Sequence, residues 1–165
     1  MINKGVDYMA YKINNCFLDI EQKNQKISRI HFINPTDISN INKPTDSIIN
    51  QCLTELHEFL SYNRKHFTVP LDLSTGTAFQ QKVWRALLDI PYGQTCTYKD
   101  IAIKINQPRS YQAVGQACKK NPIPIIIPCH RVISQSGQLT GYFGTSEFGL
   151  TIKQSLITLE KGNHE

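Results

Sequence analysis

No stretch of this chain approaches the run of ~20 apolar residues that a helix needs to cross a bilayer, and Met1 to Tyr11 lacks the apolar centre of a secretion signal. No Cys-x-x-Cys pair occurs, and His31, His57 and His66 are scattered, which argues against a structural zinc site. The five cysteines are odd in number and irregular in spacing, so they do not read as a disulfide framework. No internal repeat or low-complexity tract is present, which excludes a repeat array. These absences predict a cytoplasmic globular protein, in a compartment where a working thiol stays reduced.

At 165 residues the chain can bury one core, or two small subdomains sharing one. Its net charge of +5 is unevenly placed. Residues 1–76 carry eight basic and eight acidic side chains, whereas residues 77–165 carry ten and five. Between Tyr98 and Arg131, six bases (Lys99, Lys104, Arg109, Lys119, Lys120, Arg131) face Asp100 alone. A phosphate backbone attracts such a surface, although a solvated basic face gives the same count.

Tyr11 to Ile20 and Ile27 to Ile33 flank the polar turn Glu21–Lys26 and read as a hairpin. Ile48, Cys52, Leu53, Leu56 and Phe59 recur at helical spacing behind Asp46 or Ser47 as N-cap. Val69 to Leu73 reads as an edge strand, and Ser74-Thr75-Gly76 as a joint. A second helix follows Thr77, with Phe79, Val83, Trp84, Leu87 and Leu88 on one stripe. Thr97 and Ser110 are the expected caps of two further helices, separated by Asn106-Gln107-Pro108. Two helices and a short turn inside the basic stretch suggest a helix-turn-helix.

The chemistry concentrates at Ile127-Pro128-Cys129-His130-Arg131-Val132. Pro128 fixes its own φ and biases Ile127 toward extended geometry. Cys129 is therefore aimed from a stiff segment. A thiol needs a base or a positive neighbour to become the reactive thiolate, and His130 and Arg131 adjoin it. A third group should orient the imidazole, by the logic of a triad. Glu160, beside the apolar run Leu156 to Leu159, is the candidate, and on the residues alone it is equally a solvent-facing glutamate at a helix end. Asn121 before Pro122 is placed to tie the turn to backbone groups near Cys129.

The run Asn121 to Ile133 resembles the active-site signature of the O6-alkylguanine-DNA alkyltransferases (methylated-DNA–protein-cysteine methyltransferases). Trp84, Pro91-Tyr92-Gly93, Thr97-Tyr98, Ala113-Val114-Gly115, Gly141-Tyr142 and Leu159-Glu160 extend the resemblance. It is close over the second half of the chain and general over the first. It implies an α+β fold. Residues 1–75 are expected to form an N-terminal α/β subdomain on a small antiparallel, ribonuclease H-like sheet. Residues 76–165 are expected to form a mostly helical, winged-helix-like domain for DNA binding and alkyl transfer.

The implied activity is direct reversal of DNA damage. One alkyl group passes irreversibly from O6-alkylguanine, or O4-alkylthymine, in double-stranded DNA to Cys129. The implied protein is a monomer with no cofactor and no metal, acting once per molecule because a thioether is a poor leaving group. Cys129, His130, Glu160 and Asn121 form the implied catalytic set, with Asn121 as a hinge. Tyr98 is implied behind the flipped nucleotide, Tyr142 and Gly144 in the loop around the base, and Val132 on the pocket floor. Gln112, Ala113, Gly115, Arg109, Lys119 and Arg131 are the implied DNA contacts, with Arg131 free to pair instead with an internal carboxylate. Other readings are a damage sensor (which Cys129 argues against), a helix-turn-helix transcription factor, and a multiple-turnover Cys-His-Glu hydrolase.

Two positions depart from the family pattern. Residues 143–149 form a longer stretch than the usual glycine-rich loop, with Phe143 and Phe148 able to change the pocket's width. Gln112 stands where an arginine usually fills the gap left by the flipped base, with Arg109 or Tyr111 as neighbours able to compensate. Gln112→Arg is expected to tighten binding to lesion-bearing duplex without changing the alkyl acceptor. Duplex titrations of both proteins check this, and equal affinities count against it.

Overall fold

The computed structural model describes residues 17–33, 47–139 and 147–162. The chain divides into two compact units, Met1–Asp72 and Leu73–Glu165.

In the first unit, β1 (Phe17–Lys23) and β2 (Lys26–Ile33) form an antiparallel hairpin. Its turn is Asn24-Gln25, both at positive φ (53° and 61°), the mirror-image turn whose twist matches paired strands. The register shifts at Glu21/Gln22. Opposite that step Ser28 is left over on β2, which explains an awkward spacing: Ile27 and Ile30 are three apart, yet both are buried with Leu18 and Ile20. The expected edge strand at Val69–Leu73 reduces to one bridge, Leu71 beside Ile27. There Ile27 N–H donates to Pro70 O and Asp72 N–H to Ile27 O, both at 2.8 Å, so Pro70's missing donor is not needed.

Helix α1 (Ser47–Leu60) lays Ile48, Cys52, Leu53, Leu56 and Phe59 into the core. Glu55 is buried on the same helix. It accepts from Thr68 N–H (2.6 Å), the Thr68 hydroxyl (2.9 Å) and Gln51 Nε2 (2.9 Å), which ties the segment before Val69 to the helix.

The second unit opens with α2 (Ala78–Leu88), capped by Thr77 in a reciprocal box with Gln80. Val83, Trp84 and Leu87 are buried, but Leu88, expected on the stripe, is exposed. Trp84 Nε1 donates to Ala117 O at 2.9 Å, pinning α2 to α4 (Tyr111–Lys119). Thr97 and Asp100 form a second capping box on α3 (Tyr98–Lys104). Ser110 does not cap α4: its hydroxyl donates to Gln107 O at 2.6 Å and closes the turn between the helices instead. The two-residue strands β3 (Cys96–Thr97) and β4 (Val132–Ile133) pair in parallel, and α5 spans Glu147–Gly162. The described residues are thus a mixed α+β fold, with a two-stranded antiparallel hairpin and five helices. No described helix is long and apolar enough to cross a membrane.

A Cβ at Gly76 would overlap the six-membered ring of Trp84. Because Trp84 is held by packing and its bond to Ala117, it has little room to yield. Gly76→Ala is expected to destabilise the protein by about 1–3 kcal/mol, as overpacking does. A denaturant midpoint unchanged from wild type would contradict that packing.

Candidate active site

The segment between α4 and β4 is short, apolar and tightly wound. Ile123 to Ile127 are all buried. Ile125 has φ of 74°, a left-handed conformation that a β-branched residue adopts only under strain. Ile127 N–H returns to Ile123 O at 2.9 Å. Cys129 N–H then donates to Ile127 O at 2.8 Å across Pro128, and Cys129–Arg131 make one turn of 3₁₀ helix.

Asn121 holds this loop from inside. Its Oδ1 accepts from Ile123 N–H at 2.9 Å, and its Nδ2 donates to Ile127 O at 2.8 Å and to Cys129 Sγ at 3.1 Å. The side-chain amide therefore orders the segment and gives the sulfur a donor. Cys129 is 3% exposed. Burial pushes its thiol up to about 11, against the pull of the Asn121 hydrogen bond and the nearby Lys153 charge. Cys52 and Cys96 are pushed up to about 12 and about 11, also mainly by burial. Elevation alone does not single out Cys129; the Asn121 donor and the adjoining histidine do.

Glu160 is 2% exposed on α5. His130 Nε2 lies 2.8 Å from its Oε1. Arg131 reaches the same carboxylate with Nε (3.0 Å to each oxygen) and Nη2 (2.7 Å), while Gly93 N–H donates to Oε2 at 3.3 Å. Gly93 sits at φ 79°, where glycine is the unstrained choice. Burial alone would raise the carboxyl's pKa, but the hydrogen bonds and charges of His130 and Arg131 bring it down to about 2.

An ionised Glu160 fixes the imidazole's proton. Only a donor can face it, so Nε2 carries the hydrogen. Burial, partly offset by Glu160, holds His130 below its ordinary value and hence neutral. Its Nδ1 is then a lone-pair acceptor, buried and without a hydrogen-bond partner among the described residues. A neutral imidazole, oriented by a carboxylate and attached to the residue beside a thiol, can accept that thiol's proton.

Of the two partners expected for Arg131, a phosphate or an internal carboxylate, it takes the carboxylate. It is 7% exposed, forked onto Glu160, and its Nη1 donates to Ile90 O at 2.7 Å, so it faces the protein interior. Val132 is buried as the first residue of β4, where it pairs with Cys96. Arg109, Gln112 and Ala113 lie exposed at the turn and first turns of α4, and Lys119 is half-buried at its end. Gly115 packs toward Tyr98: a Cβ there would sit 3.9 Å from the ring. Tyr142 and Gly144, and the long loop's Phe143, lie outside the described residues.

Sequence reasoning missed Lys153. It is 1% exposed, with Nζ 3.5 Å from the Tyr98 hydroxyl and 5.7 Å from the centre of its ring. Burial lowers its pKa, while Cys129 and Cys118 pull the other way. Its signal was spacing: Lys153, Leu156 and Glu160 follow the three-and-four rhythm of one buried helix face.

This arrangement has close relatives. The family model for the 6-O-methylguanine DNA methyltransferase DNA-binding domain matches residues 78–162. A methylated-DNA–protein-cysteine methyltransferase of Methanosarcina barkeri is 47% identical over 125 residues, 73% of this chain and 76% of that protein. An inducible methylated-DNA–protein-cysteine methyltransferase of Bacillus subtilis is 47% identical over 116 residues, 70% of this chain and 62% of that protein. Mycobacterium tuberculosis OGT, solved in complex with DNA, superposes with a TM-score of 0.77 at 39% identity, over 88% of this chain and 87% of that one. On this combined match of sequence, fold and relatives, the chain belongs to the methylated-DNA–protein-cysteine methyltransferase family.

Proposed function

We propose that this protein repairs DNA by moving the alkyl group of O6-alkylguanine onto Cys129 Sγ, once per molecule. The observation that carries the reading is the His130 ring, locked by Glu160 through Nε2 with Nδ1 left as an acceptor beside the thiol residue. His130 takes the thiol proton, directly or through a water. The thiolate attacks the alkyl carbon as an S–C bond forms and the C–O6 bond breaks. The electron pair stays on O6, and guanine N1 takes up one proton from His130 or solvent, matching the one the thiol gave up. O4-alkylthymine offers the same carbon–oxygen bond.

Because Cys129 is buried, the base must leave the duplex stack to reach it. Asn121 positions the nucleophile, and Tyr98 stands beside the base's path. Arg109, Gln112, Ala113, Gly115 and Lys119 meet the DNA, while Tyr142 and Gly144 close over the base. The site acts in a monomer, in the cytoplasm, without cofactor or metal, and residues 1–75 serve as the supporting subdomain.

Intact mass after incubation with duplex carrying one O6-methylguanine tests this reading. Wild type is expected to gain one methyl and stop, while Cys129→Ser gains none. A mass that never changes, or product exceeding protein, would overturn it.

Lys153→Met removes a buried cation whose charge favours the thiolate. The Cys129 ionisation should then move further above about 11. Transfer near neutral pH should fall roughly tenfold for each pKa unit of that rise, with the rate profile displaced to higher pH. A fallen rate with an undisplaced profile would instead assign Lys153 a packing role.

A further inference from the structure

A nucleotide that leaves the stack leaves a hole behind it. Proteins that distort duplexes often fill such holes with a flat or apolar side chain, and aromatic rings stack on bases of any identity. Among the described residues, the large apolar side chains left exposed are Tyr62, Leu88, Ile103 and Tyr111. Leu88 ends α2 and Ile103 lies on α3, so neither is on the second helix of the helix-turn-helix, and Tyr62 belongs to the first unit. Tyr111 is 50% exposed on the first turn of α4.

Its position connects it to the thiol. Gly115, one turn later on the same helix face, packs toward the Tyr98 ring. Tyr98 in turn contacts Lys153, whose charge Cys129 feels. Lys119 lies one further turn along that face. Tyr111, Gly115 and Lys119 therefore form a strip of ring, bare backbone and cation that borders Tyr98. Helical side chains lean toward the N-terminus, so the Tyr111 ring projects off the leading end of α4. Gln112 is exposed next to it but offers no ring and no charge.

We propose that Tyr111 is the stacking wedge of this protein. Its ring occupies the space vacated by the flipped nucleotide and stacks on the neighbouring bases while the lesion is at Cys129. This rests on the alkyl-transfer reading. It goes beyond that reading by assigning to a side chain outside the active site the preference for duplex over single-stranded substrate.

The test compares transfer rates on the same O6-methylguanine oligonucleotide, duplex against single-stranded. Tyr111→Ala should lower the duplex-to-single-strand ratio by roughly tenfold or more, the scale of one lost base–aromatic stack. Tyr111→Phe should keep the ratio near wild type. Binding of Cys129→Ser to lesion duplex, with and without Tyr111→Ala, provides a readout that needs no transfer. Tyr111→Ala should weaken affinity without changing the slope of log K against log salt, because no phosphate contact is lost. An unchanged ratio, an equal loss on both substrates, a Phe variant as impaired as Ala, or a shallower salt slope would each overturn the wedge. Absence of transfer by wild type on either substrate would overturn the alkyl-transfer reading instead, and the binding arm would still decide the role of Tyr111.

Discussion

A carboxylate removed from water must find donors for both oxygens, or it does not remain charged. Glu160 finds them from three directions: the Gly93 amide before β3, and His130 and Arg131 in the 3₁₀ turn. Arg131 is held in turn by Ile90 O and lies 5.7 Å from the centre of the Tyr92 ring. One side chain on α5 thus fixes the turn after α2, the nucleophile's own segment and the protonation of the imidazole. The rest of the site inherits its geometry from that cluster. Bonding a buried ion pair this completely makes loss of a partner far more costly than the pair's net worth.

The thiol is governed by the opposite tendency. Burial resists its ionisation, and two features lean against that resistance: the Asn121 amide at the sulfur and the Lys153 charge behind it. The resting sulfur is therefore a protected thiol, poorly reactive toward solvent-borne electrophiles. In the proposed reaction its activation waits for the moment when a proton can pass to His130. That arrangement suits a protein for which one misplaced alkylation ends its working life.

Local chemistry was legible in the sequence wherever it depended on near neighbours. Thr77 with Gln80 and Thr97 with Asp100 announce their caps within three residues. The Asn-Pro and Pro-Cys pairs announced a braced loop, and Asn121 does brace it. What lay hidden depended on elements that meet only in the fold. Arg131 had either a phosphate or an internal carboxylate as its expected partner, and what decided between them lay 41 and 29 residues away at Ile90 and Glu160. Lys153 went unremarked because its partner Tyr98 lies 55 residues away. Ser110 had the right residue type for a cap and used its hydroxyl on the preceding turn. The bulge at Glu21/Gln22 had no clear residue signature, although it decides which face Ile27 joins.

Ile125, wound left-handed in the core, bears on when the site comes into being. An isolated loop of this sequence would relax that residue, since such strain of ~1–3 kcal/mol persists only where surrounding structure overrules it. The backbone that aims Cys129 therefore cannot form as a local nucleus and wait for the helices. It is assembled by the same closure that buries Ile123 to Ile127. Competence of the nucleophile and completion of the second unit's core are one cooperative event, so a nascent or partly opened chain holds a cysteine but not yet a reagent.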